Sequence, residues 1–432
     1  MNHQNTPEYA RSLDEQDELK DFRSRFFIPQ HNNKDSIYLT GNSLGLQPKT
    51  VSSHIQQELD DWSSMGVKGH LHARHPWLSY HEMFPKYLSK IVGCKENEVV
   101  AMNQLTVNLH LLLISFYRPT KKRYKIICEA KAFPSDQYAL QSQIMLHAAS
   151  AGFDPSLAMI EVSPRTGEHV IRHEDILGAI EEHKTELALV MIGGVNYYTG
   201  QVFNMKEITA AAHKAGAYAG FDLAHAAGNI SLSLHDWGVD FACWCSYKYL
   251  NSGPGGVGGI FINEKHTANN DMLRLAGWWG HSKERRFQME KEFDPIPGAE
   301  GWQLSNAPVL SMAAHKASLE IFDQAGMDRL HKKSALMSDF LRFILKGINL
   351  NQEEKNLEVL TPSSKGDYGC QVSMLMLKYS SEIFKNLSKE GIIADWREPN
   401  VIRIAPVPLY NTFTDIYNFG AIINAGLNNL KI

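Results

Sequence analysis

No run of apolar residues in this chain approaches the roughly 18–20 that a helical membrane span needs, which sets aside an integral membrane helix. An excess of basic charge is missing too. Lys and Arg total 43 against 47 Asp and Glu, a formal net charge of -4, so no electrostatic argument favours nucleic acid or an anionic membrane as a partner. The N-terminal "MNHQNTPEYARSLDEQDELKDF" has neither the basic start and apolar core of a signal peptide nor the arginine content of a transit peptide; a soluble, cytoplasmic protein is expected. Cysteine is scarce and scattered: Cys94, Cys128, Cys243, Cys245 and Cys370 do not make a disulfide framework. Cys243 and Cys245 would face one side of an expected strand and read as core packing rather than as a metal or redox pair. Internal repeats and low-complexity tracts are absent.

What is present is a long chain with an ordinary core composition. At 432 residues it exceeds the about 250–300 at which single cores stop growing, so two domains are expected. From about Tyr124 to Ile262, "YKIICEA", "SLAMIEV", "ELALVMIGG", "AYAGFD", "DFACWCS" and "GGIFI" read as strands. Between them "FPSDQYALQSQIMLHAAS", "RHEDILGAIEEHK" and "MKEITAAAHKAG" read as helices, the last stopped at Gly216. This alternation predicts an α/β fold with a mostly parallel central sheet between helices. Beyond about Asn306, two long helical patterns precede isolated strands with a tight "REPN" turn, which predicts a smaller C-terminal α+β domain. The expected division is an N-terminal segment over about 1–75 packing on both domains, a large domain over 76–305 and a small one over 306–432.

Lys248 stands out in "DFACWCSYKYLNSGPGG", where a buried strand runs into a glycine-rich turn and a primary amine is costly. In parallel sheets ligands bind outside the carboxyl ends of strands. Asp222 ends "AYAGFD" and Lys248 follows "DFACWCS", so both are expected on one rim. A lysine there, with an aspartate one strand away, is what pyridoxal 5'-phosphate needs: an amine for its aldehyde and a carboxylate to keep its pyridine nitrogen protonated. His225, three residues beyond Asp222, is placed to support either. Donors for the phosphate are Leu105 and Thr106, the helix start Phe133, Pro134, Ser135 and Asp136, and Tyr247. Each feature alone has an ordinary structural reading as a cap or a surface lysine; together on adjacent strand ends they favour the cofactor.

The segments "YLTGNSLGLQPK", "MNQLTVNLHLLLISFY", "EAKAFPSDQYA", "GFDLAHAAGN", "HDWGVDFACWCSYKYLNSGPGG", "GWWGH", "LSNAP" and "IRIAPVPLYN" resemble the kynureninase family of fold-type I pyridoxal-phosphate enzymes, along nearly the whole chain. That resemblance implies a catalytic Lys248 bonded to the cofactor and Asp222 on the pyridine nitrogen, with His225 beside it. It further implies cofactor contacts from Leu105, Thr106, Phe133 to Asp136, Tyr247, Trp278 and Asn306, with Trp278 turned inward. Ser43, His70, Asn306 and Arg403 are similar to substrate-binding residues, Arg403 as a bidentate clamp for an α-carboxylate. A homodimer with composite sites is implied. So is hydrolysis of L-kynurenine or 3-hydroxy-L-kynurenine at Cβ–Cγ to anthranilate or 3-hydroxyanthranilate plus L-alanine, in tryptophan breakdown or toward NAD, with Tyr247 handling a proton. Gly193 departs from the family, many members carrying a serine there.

The cluster "HLHARH" lacks a nearby acid or cysteine and is expected to line substrate or face solvent, not to hold a metal. "GPGGVGG" lacks the lysine and hydroxyl of a nucleotide loop. A cysteine desulfurase would need a mobile cysteine, and an aminotransferase shares only the Asp and Lys. A non-catalytic sensor on this fold would be expected to lose Lys248 or Arg403, and both are present.

Overall fold

The computed structural model describes residues 3–267, 272–350 and 354–430. Its central feature is a seven-stranded sheet of β1 (Val99–Ala101), β2 (Lys125–Glu129), β3 (Met159–Val162), β4 (Leu187–Gly193), β5 (Tyr218–Asp222), β6 (Phe241–Trp244) and β7 (Gly259–Ile262), in the order β1-β7-β6-β5-β4-β2-β3. The pairings β3·β2, β2·β4, β4·β5 and β5·β6 are parallel. Only β7 runs the other way, antiparallel to β6 and to β1.

The strands are short and apolar because both faces are covered. Alternate residues enter separate cores: Ile127, Val190, Ile192, Phe221, Ala242 and Trp244 go to one, while Ile126, Cys128, Leu189, Met191, Phe241 and Cys243 go to the other. Cys243 is thus core packing, as expected. Cys245 lies one residue past the end of β6, so it leaves the strand and does not share that role. The first core is closed by α5 (His173–Glu182), α6 (Met205–Lys214) and α7 (Val309–Ala325). The second is closed by α3 (Leu105–Phe116) and α4 (Pro134–Ala151). Proline at its first position starts α4, and left-handed Gly152 (φ 73°) stops it, its N–H returning to the Ala148 carbonyl at 2.9 Å.

A second, antiparallel sheet joins β8 (Leu357–Val359), β9 (Val372–Met376), β10 (Asp395–Arg397) and β11 (Val401–Ile404) in the order β8-β9-β11-β10. It packs under α8 (Met327–Leu350) and α10 (Phe413–Asn429), with α9 (Ser380–Lys389) alongside. These two helices cross closely at Gly420, where a Cβ would overlap Ile344. Residues near the N-terminus serve both cores: Ala10 of α1 (Pro7–Glu15) and Leu39 enter the small one, whereas Leu19, Phe22, Phe26 and Leu46 enter the large one. The helix α7 packs against α2 (Val51–Met65) and within the large core. No helix among the described residues is long and apolar enough to cross a membrane.

Gly220 shows how tightly the site's scaffold is built. It lies two residues before the end of β5, and a Cβ there would overlap the Phe241 ring, itself stacked on Phe116 at 4.6 Å. Gly220→Ala is expected to destabilise by about 1–3 kcal/mol through over-packing. A urea unfolding midpoint equal to wild type would show that the ring can move aside.

Candidate functional site

Four neighbouring parallel strands end along one rim, and their last residues or the turns after them line a single cavity. Glu129 ends β2, Gly193 ends β4 and Asp222 ends β5; Cys245, Tyr247 and Lys248 follow β6. From the helix side come Leu105 and Thr106 at the start of α3, and Phe133, Ser135 and Asp136 at the start of α4. Two helix N-termini therefore meet here, an arrangement that favours an anion such as phosphate.

Lys248 Nζ lies 3.0 Å from His225 Nε2 and 5.8 Å from the centre of the Phe133 ring. Burial, then the positive charges of Lys248, Arg403 and Arg397, hold the imidazole well below its usual range. His225 is accordingly neutral and accepts from Lys248, which leaves its Nδ1 as a buried group without a partner. The carboxyl of Asp222 is 8 % exposed and accepts the Ala224 N–H at 2.7 Å. Burial raises it, and Asp136, Lys248 and that N–H oppose the rise. Asp136 is pushed well up, by burial first and then by Asp222. The proton of the pair therefore rests on Asp136, which turns its carboxyl to Asp222 rather than offering it to a phosphate; its Oδ1 has no partner.

Pyridoxal phosphate fits what the cavity offers. It needs one amine, one carboxylate, hydroxyl and N–H donors for a phosphate, and unpaired polar groups around the ring. Lys248, Asp222, the α3 and α4 starts with Thr106 and Ser135, and the orphaned His225 Nδ1 and Asp136 Oδ1 match that set.

Arg403, on the other sheet, does not line the cavity itself but reaches Tyr197, which does. On β11 it stands directly opposite Asp395 of β10. One guanidinium nitrogen donates to the Asp395 carboxylate and another to the carbonyl of Tyr197, a cavity-lining residue. Arg397, two residues on from Asp395, reaches the same carboxylate at 3.4 Å. Arg403 is 1 % exposed, and burial lowers its pKa to about 10. Its Nε has no partner.

Other expected residues stay outside. Pro134 does not line the cavity but begins α4. Trp278 and Asn306 are exposed and line no part of it. Trp278 points outward, against Phe287, with its Nε1 donating to the Arg286 carbonyl at 3.0 Å; Trp279 is the buried one. Ser43 is exposed, on a loop anchored to the Lys248 turn by the Gly45 N–H on the Tyr247 carbonyl at 2.8 Å. His70 packs edge-on to Trp77, its Nδ1 buried without a partner. The histidine loop also has an acid beside it after all: His75 Nδ1 lies 3.4 Å from buried Glu58. His81, Glu82 and Glu300 gather as potential metal ligands, but Lys283 spans both carboxylates at 2.8 Å and supplies the positive charge.

Glu129 and Tyr197 also line the cavity, as does Cys245, which the sequence pattern assigns to core packing. Glu129 carried the same signal as Asp222, an acid ending a strand of a parallel sheet. Tyr197 and Cys245 carried none.

Two family profiles match: "Kynureninase C-terminal domain" over residues 330–423 and "Aminotransferase class-V" over 37–361. The chain is 56% identical to the kynureninase of Flavobacterium psychrophilum over 98% of this chain and 99% of that one. It is 52% identical to that of Myxococcus xanthus, covering 95% of each, and 46% identical to that of Mus musculus, covering 97% and 93%. Similar solved structures include C-DES with glycine covalently linked to the PLP cofactor (TM-score 0.72, 15% identity, 90% of this chain and 96% of that one). Another is the apo cysteine desulfurase of Thermococcus onnurineus (TM-score 0.71, 16% identity, 91% and 95%). At such identities these two speak for the fold alone.

The Arg403–Asp395 pair makes a test that needs no substrate. Removing one partner of a buried pair leaves the other charge uncompensated, at about 3–5 kcal/mol. Asp395→Asn is expected to lower the thermal midpoint by several degrees; an unchanged melting curve would mean that the Tyr197 carbonyl alone suffices.

Proposed function

The chain belongs to the kynureninase family, and from that premise we propose that it is a pyridoxal-phosphate-dependent hydrolase cleaving the Cβ–Cγ bond of L-kynurenine or 3-hydroxy-L-kynurenine. The products are L-alanine and anthranilate or its 3-hydroxy derivative. The observation that carries the reading is the joint placement of Lys248, Asp222 and neutral His225 in one cavity reached by two helix N-termini.

Bound pyridoxal phosphate supplies an aldehyde for the Lys248 amine and a protonated ring that draws electrons from the substrate's α-carbon. Asp222 would keep the ring nitrogen protonated, and Asp136 in turn steadies Asp222. Thr106, Ser135 and the N–H groups of Leu105 and the α4 start would hold the phosphate, and Phe133 and His225 line the same cavity beside Lys248. Lys248 removes the α-proton. Its amine is aimed by His225, which accepts its hydrogen bond at 3.0 Å. Arg403 takes the substrate α-carboxylate with its fork, pre-set by Asp395 and the Tyr197 carbonyl. Tyr247 is raised, by burial first and then by Cys245, so it keeps its proton and is suited to donate it to Cβ after the aryl acid leaves.

Trp278, Asn306, Ser43 and His70 we assign to a homodimer's composite site, the first two completing the partner's cofactor pocket. The exposure of Trp278, Asn306 and Ser43, and the unpartnered Nδ1 of half-buried His70, support that assignment. We also assign the two sheets to two domains, the large one extending through α7, whose buried face joins the large core. A cytoplasmic location is part of this reading. A desulfurase reading is disfavoured because Cys245, the cysteine lining the cavity, is buried with its thiol pushed up by burial.

The purified protein is expected to bind pyridoxal phosphate with a visible band and to release an aryl acid and alanine from L-kynurenine or 3-hydroxy-L-kynurenine. Lys248→Ala should lose the band and at least about a thousandfold in kcat/KM; a variant that still turned over would sink the proposal. Mixing inactive Lys248→Ala with inactive Asn306→Ala should regain activity, because one of the two composite sites of a mixed dimer is intact. No recovery after subunit exchange would argue against shared sites.

A further inference from the structure

Glu129 lines the cavity, yet the proposed reaction gives it no task. It ends β2, two strands from Asp222 in the order β5-β4-β2. The residue is 5 % exposed, and both its carboxyl oxygens lie 3.2 Å from the Gly193 N–H at the end of β4. Gly193 has no side chain to intervene. A Cβ added there would stand 3.0 Å from Glu129 Oε1, so the carboxyl would have to give way.

Resting on the cofactor reading above, we propose that Glu129 is a positioning residue of the cofactor cavity: anchored on the Gly193 N–H, its carboxyl supplies part of the negative field in which the cationic group bound at Asp222 and Lys248 is held. The acids facing it are Asp136 from the start of α4 and Asp222 from β5; across the cavity stand His225, Tyr247 and Lys248. On its other side, Glu161 of β3 and Lys131 past β2 are exposed to solvent, where water screens them. Asp136 keeps its proton and His225 is neutral. The unscreened negative charge therefore comes from Asp222 and Glu129. Burial pushes the Glu129 carboxyl up, its own N–H and that of Gly193 pull it down, and Asp222 pushes it up again, to about 7. Glu129 is thus a group that changes charge near neutrality, beside a site whose chemistry depends on a protonated ring. A nearby carboxylate favours the protonated form of a cation. Its loss must lower the pH at which that cation gives up its proton.

The test is a pH titration of the visible band of the pyridoxal-phosphate-loaded protein, for wild type, Glu129→Gln and Gly193→Ala. Glu129→Gln keeps the shape and an acceptor for Gly193 but removes the charge; its midpoint should fall by about half a unit or more. Gly193→Ala keeps the charge but displaces the carboxyl, and should weaken cofactor binding several-fold. Thermal melts of the apo-proteins check that both fold. If Glu129→Gln does not fold, Gly193→Ala decides, and wild-type cofactor affinity there overturns the proposal. A Glu129→Gln titration superimposable on wild type overturns it while leaving the proposed function standing. A wild type that shows no band with added pyridoxal phosphate removes both.

Discussion

Everything in this molecule depends on keeping ionisable groups at the end of a sheet that is dry on both faces. A buried charge is tolerated only when paired and hydrogen-bonded. Adjacent strand ends bring one amine and two carboxyls into one cavity, the start of α4 adds a third carboxyl, and their arrangement answers that constraint. Asp136 carries a proton against Asp222. Lys248 donates to a histidine held neutral. The cost of burial is met by moving protons: Asp136 keeps one and His225 sheds one, which leaves Asp222 as the carboxylate that a protonated pyridine ring requires.

The scaffold enforces this through small residues and backbone contacts. Gly220 lets Phe241 pack across β5, which keeps Asp222 at its level on the rim. Gly45 ties the loop carrying Ser43 to the Tyr247 carbonyl, next to Lys248. At Gly193 the lack of a side chain leaves room for Glu129. Each glycine matters for close approach, not for flexibility.

The strands and helices around β2 to β6 were legible because both of their faces are buried, which writes short apolar runs bounded by caps and turns. Asp222 and Lys248 were legible for the same reason, as polar residues where such runs stop. The edge strand β1 was not: it has three residues, too few to show a pattern, and it depends on β7 for its pairing. The reversed direction of β7 was equally hidden, since "GGIFI" reads alike either way. Cys245 was grouped with Cys243 by a two-residue period that ends with the strand at Trp244. The outward turn of Trp278 could not be foreseen because "GWWG" gives no sign which indole is buried; Trp279 takes the inner place, beneath the Arg286 guanidinium at 4.5 Å. Glu129 carries the same signal as Asp222, but its strand lies three places from the one that leads to the lysine, so the sequence gives no sign that the two share a cavity.

Arg403 links the two sheets in a way that bears on function. Its guanidinium is fixed at one end by Asp395, from the neighbouring strand of its own small sheet, and at the other by the Tyr197 carbonyl, four residues past the end of β4 in the large one. The distance from this group to Lys248 is therefore set by how the small sheet sits on the large one, not by a flexible side chain. Any rigid-body shift between the sheets would have to break the contact with Tyr197 or carry that loop along, and Tyr197 also packs edge-on to Phe133 at the start of α4, 5.4 Å between ring centres. A substrate carboxylate that took over part of the Arg403 fork would compete with these protein contacts. Binding at the clamp would then be felt at Tyr197, at Phe133 and so at the helix start that faces the phosphate. That coupling makes recognition of the α-carboxylate and placement of the cofactor parts of one packed unit.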